Sequence, residues 1–205
     1  MTDHLTIGIL ALQGDFAEHR QALERAGAAV REVRLPADLE GLHGLVIPGG
    51  ESTTISRLML AYDLMDPVRA LARSGRPVWG TCAGAIMLAA RVPDLDRPTL
   101  GLLDVGIRRN AFGRQVESFE VDLPVPALGE PPFHAVFIRA PLIQDVGPDV
   151  DVLARLDGGA VVAVRQEHLL ATAFHPELTD DLRFHRYFVG MAEARARAEA
   201  GPGPK

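Results

Sequence analysis

Short apolar runs without polar alternation recur through the first half of the chain, each followed by a segment of helical spacing. Leu5-Thr6-Ile7-Gly8-Ile9-Leu10-Ala11-Leu12 reads as a buried first strand, and Gln13-Gly14-Asp15 as the turn that ends it. Phe16, Arg20 with its long stem, Leu23 and Ala26 then recur at helical intervals. Asp15 is placed to cap that helix and Gly27 to close it. Ala29 to Val33 reads as a second strand. Leu45-Val46-Ile47 is a third, ended by Pro48-Gly49-Gly50-Glu51-Ser52-Thr53-Thr54. Ile55, Leu58, Met59 and Tyr62 mark one face of the next helix. Asp66-Pro67 predicts an N-cap with proline at the first helical position, and Gly75 closes that short helix. Val78-Trp79-Gly80 is then the central strand, and Ala83 to Ala90 its helix.

From Leu100 the pattern changes. Leu103 to Arg108, Gln115 to Val121, Ala135 to Ile138, Val152 to Leu156, Val161 to Arg165 and Leu169 to Phe174 are strand-like, with little helix between them. Asp157-Gly158-Gly159 supports a hairpin. Thr179 to Ala200 is a final helix, with Leu182, Tyr187, Met191 and Ala194 approximating an apolar stripe. Strands alternating with helices imply βαβ units, and strands without polar alternation fit a sheet covered on both faces. The predicted fold is therefore α/β with three layers: a mostly parallel central sheet, helices on both faces, and antiparallel strands added to one side.

Nothing marks a domain boundary, and 205 residues fit one domain with a substantial core. Residues 1–200 are expected to form it, with Gly201-Pro202-Gly203-Pro204-Lys205 as a frayed tail. The net charge of −6 is mild and spread out, which argues against a nucleic-acid footprint and gives no polybasic membrane signal. One cysteine rules out an intramolecular disulfide. Met1-Thr2-Asp3-His4 carries no basic leader, and no segment has the roughly 18 apolar residues of a spanning helix. The expectation is a cytoplasmic protein that binds neither nucleic acid nor membrane.

That single cysteine lies in Pro77-Val78-Trp79-Gly80-Thr81-Cys82-Ala83-Gly84-Ala85-Ile86, where a strand runs directly into a helix. Gly-x-nucleophile-x-Gly is the elbow in which flanking glycines let a sharp turn expose one side chain. A thiol there would also sit at a helix N-terminus, whose dipole and free N–H groups favour thiolate. A buried structural cysteine fits the same stretch, since free cysteine is among the most buried residue types.

A cysteine nucleophile needs a base, a group that orients the base, and donors for an oxyanion. Of seven histidines, six have unremarkable settings: His4 is terminal, His19 and His185 lie on helices, and His43, His134 and His168 are in loops or strand margins. His175 differs, because it ends the apolar strand Leu170-Ala171-Thr172-Ala173-Phe174 and precedes Pro176-Glu177. Proline biases the residue before it toward extended geometry, in which residues i and i+2 project to the same side. Glu177 can then hold the imidazole as the third member of a triad does. A surface Pro-Glu turn with a solvated carboxylate is the plainer alternative. Gly50 N–H and Ala83 N–H together could form an oxyanion hole. Arg109 and Arg139, near strand ends, are either carboxylate clamps or ordinary surface arginines. The Gly-Gly-Glu-Ser loop lacks the Lys-Ser/Thr of a phosphate-binding loop, and no His/Cys cluster has metal-ligand spacing. Neither cofactor nor metal is expected.

Taken together, these pieces resemble the class I (triad) glutamine amidotransferases, a flavodoxin-like α/β family. Within them the chain is most similar to the glutaminase-subunit (PdxT/SNO) family of pyridoxal 5′-phosphate synthase. The broad class rests on Gly80-Thr81-Cys82-Ala83-Gly84 and Phe174-His175-Pro176-Glu177. The narrower family rests on Ile47-Pro48-Gly49-Gly50-Glu51-Ser52-Thr53-Thr54, Arg109-Asn110-Ala111-Phe112-Gly113-Arg114-Gln115 and Phe137-Ile138-Arg139-Ala140-Pro141. Ile9-Leu10-Ala11-Leu12-Gln13-Gly14 and Ser118-Phe119-Glu120 also match, so the likeness runs from near the start of the chain to about Phe188.

The resemblance implies hydrolysis of L-glutamine to L-glutamate and ammonia. Cys82 would be the nucleophile, His175 the acid and base, and Glu177 its orienting group. Gly50 and Ala83 would hold the oxyanion, and Gly50, Glu51, Ser52, Arg109, Ile138 and Arg139 would bind glutamine. It further implies ammonia delivery to a synthase barrel subunit (PdxS/SNZ type) within a large hetero-oligomer. Gln13 would lie near the active site or partner interface, or be a simple turn residue. The motifs leave three other readings: a glutaminase feeding another synthase, a self-sufficient cysteine hydrolase or peptidase, and a non-catalytic binding protein with an inert thiol.

Overall fold

The computed structural model describes residues 5–109 and 118–201. The parallel half begins with β1 (Thr6–Leu10), α1 (Phe16–Arg25), β2 (Ala29–Val33), β3 (Gly44–Ile47), α2 (Ser52–Ala61), α3 (Met65–Arg73), β4 (Val78–Thr81) and α4 (Ala83–Leu88). The second half holds β5 (Ala89–Arg91), β6 (Leu103–Arg108), β7 (Ser118–Leu123), β8 (Phe133–Ile138), β9 (Leu142–Gln144), β10 (Asp151–Arg155), β11 (Val161–Gln166), β12 (Leu169–Thr172) and α5 (Arg183–Ala200). Short 310 turns at Pro36–Leu39, Pro126–Leu128 and Pro176–Leu178 fill connections.

The main sheet runs β2-β1-β3-β4-β12-β11-β9-β6-β5, with β10 paired to β11. Strands β2, β1, β3, β4 and β12 are mutually parallel, and the sheet turns antiparallel at β11. β7 and β8 form a separate antiparallel ribbon. β3, β4 and β12 are buried at every position. That is the burial expected of central strands covered on both faces, and it explains why their sequences lack alternation. The chain leaves β1 in one direction to reach β2 and crosses back to reach β3 and β4. Right-handed crossovers therefore place α1 opposite α2 and α3. α5 packs with α1, and α2 packs with α4.

Trp79 on β4 is fully buried and anchors one face. Phe184 and Phe188 from α5 lie 6.3 and 5.6 Å from it, centroid to centroid. Each such aromatic contact is worth about 0.5–1.5 kcal/mol beyond area burial.

Several local expectations need correction. The helix after Cys82 ends at Leu88, not Ala90, because Ala89–Arg91 pairs with β6. Alanine's helix preference yields there to a tertiary ladder. Asp66 and Pro67 lie inside the first turn of α3, with Leu64 as N-cap. α5 starts at Arg183, and the residues it buries are Phe184, His185, Phe188, Val189 and Ala192. The stripe read as Leu182, Tyr187, Met191 and Ala194 is displaced from this face, and Ala194 is exposed. The three-residue strands β5 and β9 are too short to carry a periodic signal. Residues 110–117, including most of the Arg109–Gln115 motif and the start of the Gln115–Val121 strand, lie outside the described residues, as does the tail from Pro202.

Candidate active site

The loops that leave the C-terminal ends of β1, β3, β4 and β12 gather at one edge of the parallel sheet, where the strand order reverses. Open α/β sheets bind ligands at this kind of switch point. Cys82 follows β4 directly and adopts φ 47°, ψ −104°. Positive φ is strained for a residue with a Cβ, and a stored strain of about 1–3 kcal/mol persists only when the surroundings hold it. The hold is visible: Cys82 N–H donates to Thr172 O at 2.8 Å.

The flanking glycines let backbone pack against backbone. A Cβ on Gly80 would lie 2.3 Å from the Gly84 oxygen, and one on Gly84 would lie 1.9 Å from the Ile47 oxygen. No side chain fits at either position, so the elbow sits hard against β3. α4 is only six residues long, so its dipole is a weak source of thiolate stabilisation.

The charge partner is His175, which is 4% exposed. Its backbone N–H donates to Val136 O at 2.8 Å, and its side chain lines the same cleft as Cys82. Its Nδ1 lies 2.7 Å from Glu177 Oε1 and 3.4 Å from Asp15 Oδ2. Burial alone would lower the imidazole pKa. Hydrogen bonds to Asp15, Cys82 and Glu177, with the charge at the Cys82 sulfur, push it up to about 12. Burial likewise works to raise the Glu177 carboxyl. The charge of His19, with the hydrogen bond and charge of His175, outweighs burial and holds Glu177 well below the usual carboxylate range. Glu177 is not the solvated turn carboxylate of the plainer reading, because its side chain is fully buried.

A cleft of about 400 Å³ opens over the sulfur. Gly50, Glu51, Ser52, Cys82, Ala83, Arg109, Ile138, Arg139 and His175 all line it, so every residue nominated from the sequence is brought to it except Glu177, which backs His175 from beneath. Gly50 has φ 151°, and a Cβ there would meet the Gln13 side chain at 2.5 Å. Glu51 caps α2, accepting from Thr53 N–H and Thr54 N–H at 3.0 and 2.7 Å. The Arg109 guanidinium stands 3.6 Å from Glu51, and the Ile138 carbonyl 3.9 Å from the sulfur.

Three of the lining residues were not nominated, Gly14, Asp15 and Ile86; Gln13, expected near the active site or partner interface or as a turn residue, lines the cleft with them. Gln13 Oε1 accepts from Glu51 N–H at 2.8 Å, which ties the β1 loop to the β3 loop. Asp15 occupies the N-cap position of α1 without a side-chain cap bond; its carboxylate faces His175 instead. His19 and His185 are far from unremarkable, since both are fully buried behind the site. His19 lies three residues after Phe16 and four before Leu23, the one local hint that it faces inward.

Asp15, His175 and Glu177 bring ligand atoms within 4.8 Å of one another. His175 Nδ1, however, carries the proton donated to Glu177, and a protonated nitrogen is no metal ligand. That tautomer is assigned from the hydrogen-bond network.

Comparison with known proteins gives a consistent result. Residues 9–194 match the model of the SNO glutamine amidotransferase family. A curated relative from Roseiflexus sp. (strain RS-1), named pyridoxal 5′-phosphate synthase subunit PdxT, is 61% identical over 189 residues, covering 91% of this chain and all of the relative. The protein of the same name from Clavibacter sepedonicus is 58% identical over 193 residues, covering 93% and 92%. A crystal structure titled glutamine amidotransferase superposes with a TM-score of 0.87 at 53% identity, covering 91% of this chain and 98% of that one.

Proposed function

Because the chain belongs to the SNO glutamine amidotransferase family, we propose that it hydrolyses L-glutamine at Cys82 and supplies the ammonia to pyridoxal 5′-phosphate synthesis. It is the glutaminase subunit of that synthase. The observation that carries the assignment of residues is the strained Cys82 elbow beside a buried His175–Glu177 pair at 2.7 Å, in a cleft that Arg109 and Arg139 also line.

The Cys82 sulfur attacks the side-chain amide carbon of glutamine. Negative charge moves to the amide oxygen, where Gly50 N–H and Ala83 N–H receive it. One such donor is worth about 3–4 kcal/mol in the transition state. His175 gives its proton to the nitrogen, the C–N bond breaks, and ammonia leaves a thioester on Cys82. His175 then takes a proton from water, whose oxygen attacks the thioester carbon. The C–S bond breaks, glutamate departs and the sulfur is restored. Arg109 and Arg139 offer forked donors to the α-carboxylate of glutamine, while Glu51, Ser52 and Ile138 shape the cleft around it.

The partner in this reading is a barrel-shaped synthase subunit (PdxS/SNZ type) within a large hetero-oligomer, and the setting is the cytoplasm. No helix among the described residues is long and apolar enough to cross a membrane. Residues 1–200 act as a single domain, supported by one hydrophobic cluster running from Ile7 to Ala192.

Glutamate release tests the proposal, measured for the chain alone and with the synthase subunit, using wild type and Cys82→Ala. Weak turnover alone, stimulation by the partner and loss of activity in Cys82→Ala are expected. Parent-like turnover in Cys82→Ala would remove the nucleophile, and full activity without the partner would remove partner control.

A further inference from the structure

We infer that His19 is a positioning residue of this glutaminase: it backs the carboxylate of Glu177 and ties it to Thr81, the residue before the nucleophile. The inference rests on the Cys82–His175–Glu177 reading given above.

His19 lies on α1, far in sequence from every triad member, and is fully buried. Its Nε2 is 3.2 Å from Glu177 Oε2 and 3.1 Å from Thr81 Oγ1. Its Nδ1 is 3.1 Å from His185 Nε2, and its ring meets the edge of Trp79 at 5.5 Å. A residue that only filled this space would be apolar, since burying a polar ring costs free energy unless its nitrogens are matched. Both nitrogens of His19 are matched, and one of the matches is the carboxylate.

Glu177 needs that contact. Oε1 is committed to His175, and Oε2 is buried with no aligned hydrogen bond; His19 Nε2 directs its bond to Thr81 and meets Oε2 as a close charge contact. The groups around the carboxylate are His175 on its own turn, His19 from α1, and Asp15 and Cys82 reaching it through His175. His185 of α5 stands behind His19, and the charge of Arg25 is felt at His185. Of these, His19 alone approaches Oε2 among the described residues. Were it lost, burial would raise Glu177 toward its neutral acid, which cannot hold His175 in the Nδ1–H tautomer.

His185 fixes the direction of the chain. Burial, then the charge of His19, push its pKa down to about 3, so it is neutral and has one ring proton. Its Nδ1 has no hydrogen-bond partner. With His19 charged, its Nδ1–H donates to the bare Nε2 of neutral His185, whose own proton sits on Nδ1. His19 then presents Nε2–H toward Thr81 and Glu177.

The test measures glutaminase kcat and KM against pH, with the synthase subunit present, for wild type, His19→Leu, His19→Gln and His19→Asn. A glutamine amide nitrogen reaches the place of Nε2; an asparagine amide does not. His19→Leu is expected to lose about 10- to 100-fold in kcat with KM little changed, the usual scale for groups that orient a catalytic ligand. Its acidic limb should move to higher pH, and His19→Gln should recover most of both effects. If His19→Leu does not fold, Gln against Asn carries the comparison. Parent-like profiles in Leu, or identical losses in Gln and Asn without movement of the acidic limb, overturn the inference. Cys82→Ala run beside them separates the two failures: if it stays active, the triad reading fails, whereas an inactive Cys82→Ala beside parent-like His19 variants removes only the role of His19.

Discussion

Replacing Gly84 with alanine would put a methyl group 1.9 Å from the Ile47 carbonyl oxygen and 2.7 Å from its carbon. Ordinary contact begins near 3.5 Å, so α4 or β3 must give way by roughly 1.5 Å. The obstruction is backbone, and β3 is paired on both edges, to β1 and to β4. No rotamer change relieves it. Overpacking of this kind costs about 1–3 kcal/mol. In a domain of this size that lowers Tm by roughly 3–10 °C. Cys82 rides on the same elbow, and a displacement of about 1 Å at a reacting group costs on the order of 100-fold in rate. Thermal melting and glutamate release should therefore fall together in Gly84→Ala, although the nucleophile itself is untouched. Gly158→Ala is the control: its Cβ meets nothing within 4 Å, and its stability should stay within about 0.5 kcal/mol of the parent. A Gly84→Ala protein with the parent's Tm and turnover would refute the packing account of the elbow.

Two further substitutions address the rim of the cleft. Glu51→Ala removes the cap of α2 and should cost about 1 kcal/mol at neutral pH in urea unfolding. Burial would raise the Glu51 carboxyl, but bonds from Thr53 and Thr54 lower it from 4.5 to about 2. A depressed acid contributes stability above its unfolded pKa and loses it as pH falls through the folded one. The gap between parent and Glu51→Ala should therefore narrow between pH 4.5 and 2, and a gap that is flat or widens with acid contradicts the cap. Arg109→Ala should raise KM for glutamine about 10- to 100-fold with a smaller change in kcat, as loss of a charge-assisted bond of about 1.5–3 kcal/mol implies. An unchanged KM would return Arg109 to its structural contacts with Asp94 and Glu51.

The parallel half of the fold was legible because buried strands there are unbroken apolar runs punctuated by glycine. Gly80 and Gly84 announced the elbow because only glycine tolerates such backbone contact. The second half was less legible, since β5 and β9 are held by partners distant in sequence and not by any local period. The same limit hid Asp15, His19 and His185. Asp15 at a helix start reads locally as a cap, and a histidine on a helix reads as one more polar position. Only the packing of α1 with α5 and with Trp79 of β4 shows that Asp15 and His19 face the triad and that His185 backs His19.

On the proposed mechanism His175 must be an acid in the first half of the cycle and a base in the second, and its surroundings supply the change. In the free site Nδ1 faces two carboxylates, Glu177 at 2.7 Å and Asp15 at 3.4 Å, while its bond to Cys82 joins it to a charged sulfur. All three favour imidazolium, the form that can donate to a departing ammonia. The six-residue α4 provides little dipole, so a charge on the sulfur is matched chiefly by the imidazolium of His175. Acylation consumes the sulfur's charge and its hydrogen bond, and the proton leaves with ammonia. Two of the influences that held His175 protonated have then gone, and burial, which opposes the charge, gains relative weight. His175 is thereby left neutral in the thioester state, the form that can accept a proton from water. The acid-to-base change needs no rearrangement of the pair, only the making and breaking of the bond to Cys82.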